Sequence, residues 1–284
     1  MPVLPIGEAQ ISKFSADIDT SGFRPGKYSL PDFLIIGPQR TGSSWLRTNL
    51  CKHPQVLMPF KKEIFFFSHL RRRDHKRYRS NRLEPYFDLF KIPLHKKLER
   101  TAKAMCQGLL LPSMIRGEAT ASYATMPATD IANIFALNPA MQIVIMVRDP
   151  VQRSWSHAKK TLVRDRKKRL EDVPFEEFER CYRSKSNIER GTYTALIEKW
   201  RSFCGEGALY IAEYRKLCEN PLGLITETQE FLGIASGPKF TRKHLKTVVN
   251  PTSDDALPTQ HAELLRALFA EEVTRLERDY GIKV

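Results

Sequence analysis

Phe33-Leu-Ile-Ile-Gly-Pro-Gln-Arg-Thr-Gly-Ser-Ser-Trp-Leu46 is the stretch on which the reading of this chain turns. Four apolar residues, Phe33 to Ile36, suit a short strand buried on both faces. Gly37 and Pro38 break it. A polar loop containing Gly42 follows. Ser43 and Ser44 are suitable N-caps for a helix through Trp45-Leu-Arg-Thr-Asn-Leu50, ending near Lys52 ahead of Pro54. A unit of this kind cradles an anion: unpaired backbone N–H groups and the positive helix end converge, and Arg40 adds a full charge. The Gly37-x-x-x-x-Gly42 spacing is that of a P-loop, but Ser43 stands where a nucleotide triphosphatase has its Lys. The loop is expected to hold a phosphate-like group without serving as an ATPase loop. The plainer alternative is a strand–turn–helix link with a surface arginine.

Working outward, 284 residues with 42% hydrophobic and 27% charged content describe an ordinary globular protein with room for a substantial core. Residues 1–30 contain several Pro and Gly with little periodicity and read as an N-terminal arm; 31–284 read as one domain, without repeat or interior linker. No run of eighteen apolar residues predicts a membrane span, and Met1 to Asp19 has no signal-peptide pattern. A cytoplasmic location is therefore expected, with membrane association as the alternative; a Golgi-lumen location would require an anchor outside this sequence. Five scattered cysteines show neither a disulfide framework nor zinc-ligand spacing and read as buried small hydrophobes. A net charge of +14 implies an anionic partner: nucleic acid, acidic lipid, polyanionic sugar or a multiply phosphorylated cofactor.

Strands alternate with helices along the rest of the chain, which argues for an α/β fold with a central parallel sheet flanked by helices. Met141 to Val147 reads as the clearest buried strand and Ala208 to Ala212 as a late one; Val56-Leu-Met58 reads as a second strand or an extended link, and Ile115 to Tyr123 as a strand end turning into a polar loop. Helices are predicted over Leu83–Phe90, Ala128–Leu137 behind Pro127, Pro150 to about Arg166, Glu171–Tyr182, Tyr193–Phe203, Leu222–Leu232 and Gln260–Tyr280.

Two other places carry chemistry. Arg148 ends the Met141–Val147 strand, where ligands bind in open α/β sheets, and Ser156 lies eight residues on, with Arg153 and His157 nearby. An arginine fork with a hydroxyl can hold a phosphate; alternatively Arg148 pairs with Asp149 and Ser156 is a bystander. Glu63 stands between Lys61-Lys62 and the apolar block Ile64 to Phe67. Aromatic bulk strips water from a carboxylate and raises its pKa toward the range useful for proton transfer, although Glu63 could instead pair with a neighbouring lysine. Between residues 71 and 103 basic side chains crowd together, as a solvated face or as a surface for an acidic acceptor.

Taken in order, these pieces resemble the sulfotransferase family that uses 3′-phosphoadenosine-5′-phosphosulfate, in the branch containing heparan sulfate and bacterial enzymes. FLIIGPQRTGSSWL looks like the family's 5′-phosphosulfate loop, IVIMVRDPVQRSWSH like its 3′-phosphate motif, and KKEIFFFS like the segment bearing the acceptor-activating Glu. GEATASY, GTYTALIEKW and EFLGI match in order and spacing, so the resemblance runs from Asp32 to Ile282 and makes 31–284 the sulfotransferase domain. It implies that Arg40, Thr41, Gly42, Ser43 and Ser44 hold the 5′-phosphosulfate and Arg148 and Ser156 the 3′-phosphate. Trp45, Tyr193, Arg242 and Lys243 would also touch the nucleotide. Glu63 would be the base, with His69 and Glu118 in reserve. No metal is implied. The product would be adenosine 3′,5′-bisphosphate, and the acceptor a hydroxyl or amine of an acidic glycan, lipid or small molecule rather than nucleic acid. Three positions depart from the heparan sulfate branch: Arg40 and Ala119 replace Lys, and Phe65 replaces His. Arg40 would act on the leaving phosphate by charge and hydrogen bonding, because a guanidinium does not give up its proton. Two other functions fit less of the chain. A small-molecule P-loop kinase needs the lysine that Ser43 replaces, and a non-enzymatic nucleic-acid binder rests on charge alone.

Overall fold

The computed structural model describes residues 4–71, 73–76, 78, 80–110, 113–241, 245 and 256–284. At the start, β1 (Leu4–Ile6) pairs antiparallel with β2 (Gly26–Tyr28), with one helical turn, α1 (Glu8–Ile11), between them. Ile6, Ile18, Phe23 and Leu30 are buried in the main core, so this segment packs on the body.

Five strands form one parallel sheet: β3 (Phe33–Ile35), β4 (Val56–Leu57), β5 (Ile115–Ala119), β6 (Gln142–Val147) and β7 (Leu209–Glu213). Their spatial order is β4-β5-β3-β6-β7, which puts the strand of the opening motif at the centre. Ile35 stands opposite Ala119 on one side and Val144 on the other, so the loops leaving β5, β3 and β6 emerge side by side at the carboxyl edge. That edge is where open α/β sheets bind ligands.

The helices, in chain order, are α2 (Ser43–Leu50), α3 (Leu83–Asp88), α4 (Leu94–Cys106), α5 (Ala128–Leu137), α6 (Pro150–Ala158), α7 (Phe175–Arg183), α8 (Lys185–Gly191), α9 (Tyr193–Arg201), α10 (Tyr214–Glu219), α11 (Pro221–Phe231) and α12 (Thr259–Tyr280). Side-chain alternation on the strands decides which of them pack where. Leu34, Ile36, Ile143, Ile145 and Val147 enter one core with residues of α3, α5 and α9. Phe33, Ile35, Val144 and Met146 enter the opposite core with α2 and α11. A third cluster joins α6, α7 and α12 through Trp155, Phe178, Tyr182, Leu265 and Phe269.

Several boundaries differ from the sequence reading, each for a local reason. The N-cap of α2 is Gly42 in a left-handed conformation, and Ser43 and Ser44 are already helical, which frees their hydroxyls for other partners. Helix α6 starts at Pro150, with the Asp149 carboxylate accepting from the Val151 amide at 2.8 Å, but ends at Ala158. A π-helical turn over Lys159–Arg164 replaces its predicted last stretch. The acidic helix begins at Phe175 because Pro174 starts it, leaving Leu170–Asp172 as a separate short turn. The cysteines are not fully buried: Cys106 and Cys218 are exposed, and Cys51, Cys181 and Cys204 are half-buried and free. Among the described residues, no helix is long and apolar enough to cross a membrane.

Candidate active site

Glycine geometry shapes the loop between β3 and α2. A Cβ on Gly37 would lie 2.4 Å from Met146 Cβ, so only glycine lets the loop leave β3 this close to β6. Gly42 has φ +95°, and a Cβ there would lie 2.9 Å from Leu217 Cδ1. Thr41 is fully buried and donates its hydroxyl to the Pro38 carbonyl at 2.7 Å, tying the loop across its base. Arg40, at φ 75°, is one of four non-glycine residues with positive φ among those described; Glu63 and Phe65, both at φ 63°, are two of the others. Strained backbone of this kind costs roughly 1–3 kcal/mol per residue and gathers where function requires a fixed direction.

Arg40 turns toward α6 and donates from Nε to the Ser156 hydroxyl at 2.9 Å. Arg148, at the end of β6, donates to the Arg40 carbonyl at 3.0 Å, and its guanidinium lies 4.3 Å from the centre of the Tyr214 ring. The two strand-end motifs thus form one basic corner. Burial, with Arg164 and Arg148 nearby, lowers the Arg40 pKa from its usual value.

Glu63 reaches the same edge from the other side. Its amide donates to the Ala119 carbonyl and its Oε2 accepts from the Ala121 amide, both at 3.0 Å; the Ile64 amide donates to Thr120 Oγ1 at 3.0 Å. The loop is therefore stitched to the end of β5, beside β3. Lys62 bridges the two halves: Nζ lies 3.1 Å from Glu63 Oε1 and donates to Ser43 Oγ at 3.2 Å and Ser44 Oγ at 2.9 Å. The sequence reading treated Lys62 only as a possible partner of Glu63. Its approach to both serine hydroxyls places a lysine at a cradle that lacks the Walker one.

The phenylalanine block does not wrap Glu63. Phe66 and Phe67 pack on Tyr86 in the core, and Glu63 keeps a quarter of its side-chain surface exposed. The desolvated carboxylate is Glu118, 1% exposed and reached by the hydroxyls of Tyr86 at 2.6 Å, Thr120 at 2.9 Å and Tyr123 at 3.2 Å. Burial pushes its pKa up to about 7, against the lowering pull of those hydroxyls. Its burial closes it to an acceptor. His69 is also buried, with Ser68 Oγ 2.9 Å from Nδ1.

Of the remaining predicted residues, Trp45 is buried in the α2 core and donates its N–H to the Leu245 carbonyl at 2.6 Å. Tyr193 is fully buried at the start of α9, and burial pushes its hydroxyl up to about 12. Arg242 and Lys243 lie outside the described residues. Part of the basic run is committed internally: Arg100 donates to the Val56 carbonyl at 2.7 Å and Arg71 pairs with Asp17 at 2.7 Å.

A sulfotransferase family model matches residues 31–237, from just ahead of the central strand to just past α11. The chain belongs to the sulfotransferase family. A membrane-associated sulfotransferase of Dictyostelium discoideum, kil1, is 32% identical over 127 residues, which is 45% of this chain and 22% of that protein. The mouse heparan sulfate glucosamine 3-O-sulfotransferase 3B1 is 27% identical over 217 residues, covering 74% of this chain and 47% of the mouse protein. The chain thus spans less than half the length of these curated relatives. A solved sulfotransferase from Alicyclobacillus acidocaldarius superposes with a TM-score of 0.59 at 23% identity, over 90% of this chain and 97% of that one, and shares the fold. In this sulfotransferase-family chain the strand-end loops lie at the edge where open α/β sheets bind ligands.

Proposed function

We propose that the enzyme moves a sulfuryl group from 3′-phosphoadenosine-5′-phosphosulfate to a hydroxyl or amine, at the corner formed by Arg40, Lys62, Glu63, Arg148 and Ser156. The observation that carries this reading is the Lys62 bridge: one ammonium group touches both serines of the cradle and the carboxylate of Glu63. A base and an anion cradle this close suit in-line transfer from one to the other.

The residues fit the donor. The loop from Gly37 to Ser44 supplies amides and hydroxyls to the 5′-phosphosulfate, and Arg148 with Ser156 supplies a fork and a hydroxyl to the 3′-phosphate. When bound, the donor supplies the sulfuryl group and a phosphate leaving group. Arg40 and the loop amides stabilise charge on the departing phosphate oxygen, and Glu63 takes the acceptor proton. Lys62 neutralises part of the negative charge gathered between cradle and base. As in phosphoryl transfer, positioning and electrostatics carry most of the acceleration.

The names of the relatives support a glycan acceptor, and the net charge of +14 supports an acidic one. Ala119 and Phe65 set the acceptor side apart from the heparan sulfate enzymes that the sequence resembles. The test is incubation with ³⁵S-labelled donor and a panel of glycans, lipids and small alcohols or amines, with Glu63→Gln in parallel. Label transfer that requires Glu63 is expected. ATP turnover without the sulfate donor, or full transfer by the variant, would overturn the reading.

A further inference from the structure

Arg153 is buried at 0% exposure on α6, three residues before Ser156. Its NH2 donates to Ser154 Oγ at 2.7 Å and to the carbonyl and side-chain oxygens of Asn187 at 3.0 and 2.7 Å, all neutral acceptors. Nε and NH1 have no acceptor. Asp149, the carboxylate nearest in sequence, caps α6. A fold rarely buries a cation without a counter-charge, because the lost hydration is not returned.

One more buried polar atom in the same region has no partner among the described residues: His157 Nδ1, one turn along α6. Burial, with Arg153, Arg190, Lys160 and Arg40 around it, pushes His157 down to about 3, so it is neutral and adds no charge. Burial lowers Arg153 itself to about 10, which leaves the guanidinium charged at neutral pH. Arg190 and Arg148 add like charge around Arg153, and among the described residues no carboxylate pairs with it. Satisfying hydrogen bonds alone would need only a neutral group at this position. What the arrangement preserves is charge.

We propose that Arg153 is a positioning residue of the anion subsite formed by Arg148 and Ser156, its unneutralised guanidinium drawing a 3′-phosphate onto those two residues. The proposal rests on the assignment of Arg148 and Ser156 to that phosphate. A buried charge acts through a medium that screens it less than water, so its removal is expected to weaken the phosphate by roughly 10–100-fold without direct contact.

Adenosine 3′,5′-bisphosphate and adenosine 5′-monophosphate differ only in the 3′-phosphate, and calorimetry on the wild type, Arg153→Gln and Arg153→Lys separates the possibilities. Equal affinity of the wild type for both ligands would remove the underlying assignment, whatever Arg153 does. Given a wild-type preference for the bisphosphate, Arg153→Gln should cut that preference at least about tenfold with the monophosphate unchanged, and Arg153→Lys should restore most of it. A folded Arg153→Gln protein with the preference intact, or with both ligands weakened equally, would make Arg153 structural and overturn the proposal. If the glutamine variant does not fold, ¹⁵N NMR of the wild-type Arg153 Nε–H decides. Its resonance should move with the bisphosphate and not with the monophosphate; no movement with either would also overturn it.

Discussion

Arg40 Nε donates to the Ser156 hydroxyl at 2.9 Å, so two motifs 116 positions apart in sequence meet in one hydrogen bond. Arg148 closes the same corner through the Arg40 carbonyl. If the three residues hold the anion as proposed, they do so as one hydrogen-bonded unit, and their contributions should not be additive. Arg148→Ala should weaken adenosine 3′,5′-bisphosphate by about 1.5–3 kcal/mol, the range for a hydrogen bond to a charged group. Ser156→Ala should cost less by itself, and the double variant less than the sum. Calorimetric titration checks this; unchanged affinity of Arg148→Ala would remove the residue from the site.

The Glu63 amide holds the Ala119 carbonyl whatever the side chain, and a glutamine oxygen can still accept from the Ala121 amide, so Glu63→Gln should leave the cradle in place. Glu63→Gln is expected to bind the bisphosphate normally and lose roughly 10²–10⁴-fold in turnover, the usual contribution of a positioned general base. Comparing single-turnover rates with ligand affinity separates the two effects. A variant with near-normal turnover would return the role of base to another group.

Gly42→Ala tests the cradle itself. The new methyl would meet Leu217 Cδ1 at 2.9 Å at a backbone angle of +95°. Left-handed strain and crowding together should cost about 1–3 kcal/mol of stability and tilt the start of α2. Thermal unfolding should show the loss, and bisphosphate affinity should fall with it. An unchanged melting temperature would contradict the packing described here.

The parts of this picture that could be read from sequence are those set by local pattern. Phe33–Ile35 and Gln142–Val147 are apolar strands interrupted by Gly37 or ended at Arg148-Asp149-Pro150, and Pro127 and Pro150 mark the starts of α5 and α6. Helix α4 has the periodicity in sequence, with Leu94, Leu98 and Met105 at helical spacing, but Lys96, Lys97, Arg100 and Lys103 among them make the stretch read by its charge instead. The contacts of Lys62 reach serines nearly twenty residues away, and those of buried Arg153 reach Asn187 on another helix. Such relations between distant elements have no sequence period. The burial of Glu118 is of the same kind: Tyr86 comes from α3 and Tyr123 from the turn after β5.

Glu118 also fixes a pH dependence. Its ordinary pKa is near 4.5, and burial in the fold raises it to about 7. Below pH 4.5 the group is protonated whether the chain is folded or not and has no effect on stability. From there to about pH 7 the folded state holds the proton more tightly, so stability falls as pH rises, by about 3 kcal/mol in total, and the loss persists above. His53 and His157, pushed down to about 4 and about 3 by burial, act in the opposite direction: their neutral forms are favoured by folding, so stability falls as pH drops below 6.5. Glu118→Gln isolates the carboxylate. The amide oxygen can accept from Tyr86 and Tyr123 while the amide nitrogen donates to Thr120, reproducing the protonated acid. The histidine effects are common to both proteins and cancel in the difference. The variant should match the wild type near pH 4.5 and exceed it by about 1–3 kcal/mol at pH 8 in urea unfolding. Parallel curves across that interval would mean that Glu118 titrates at its ordinary pKa, and the raised value would have to be abandoned.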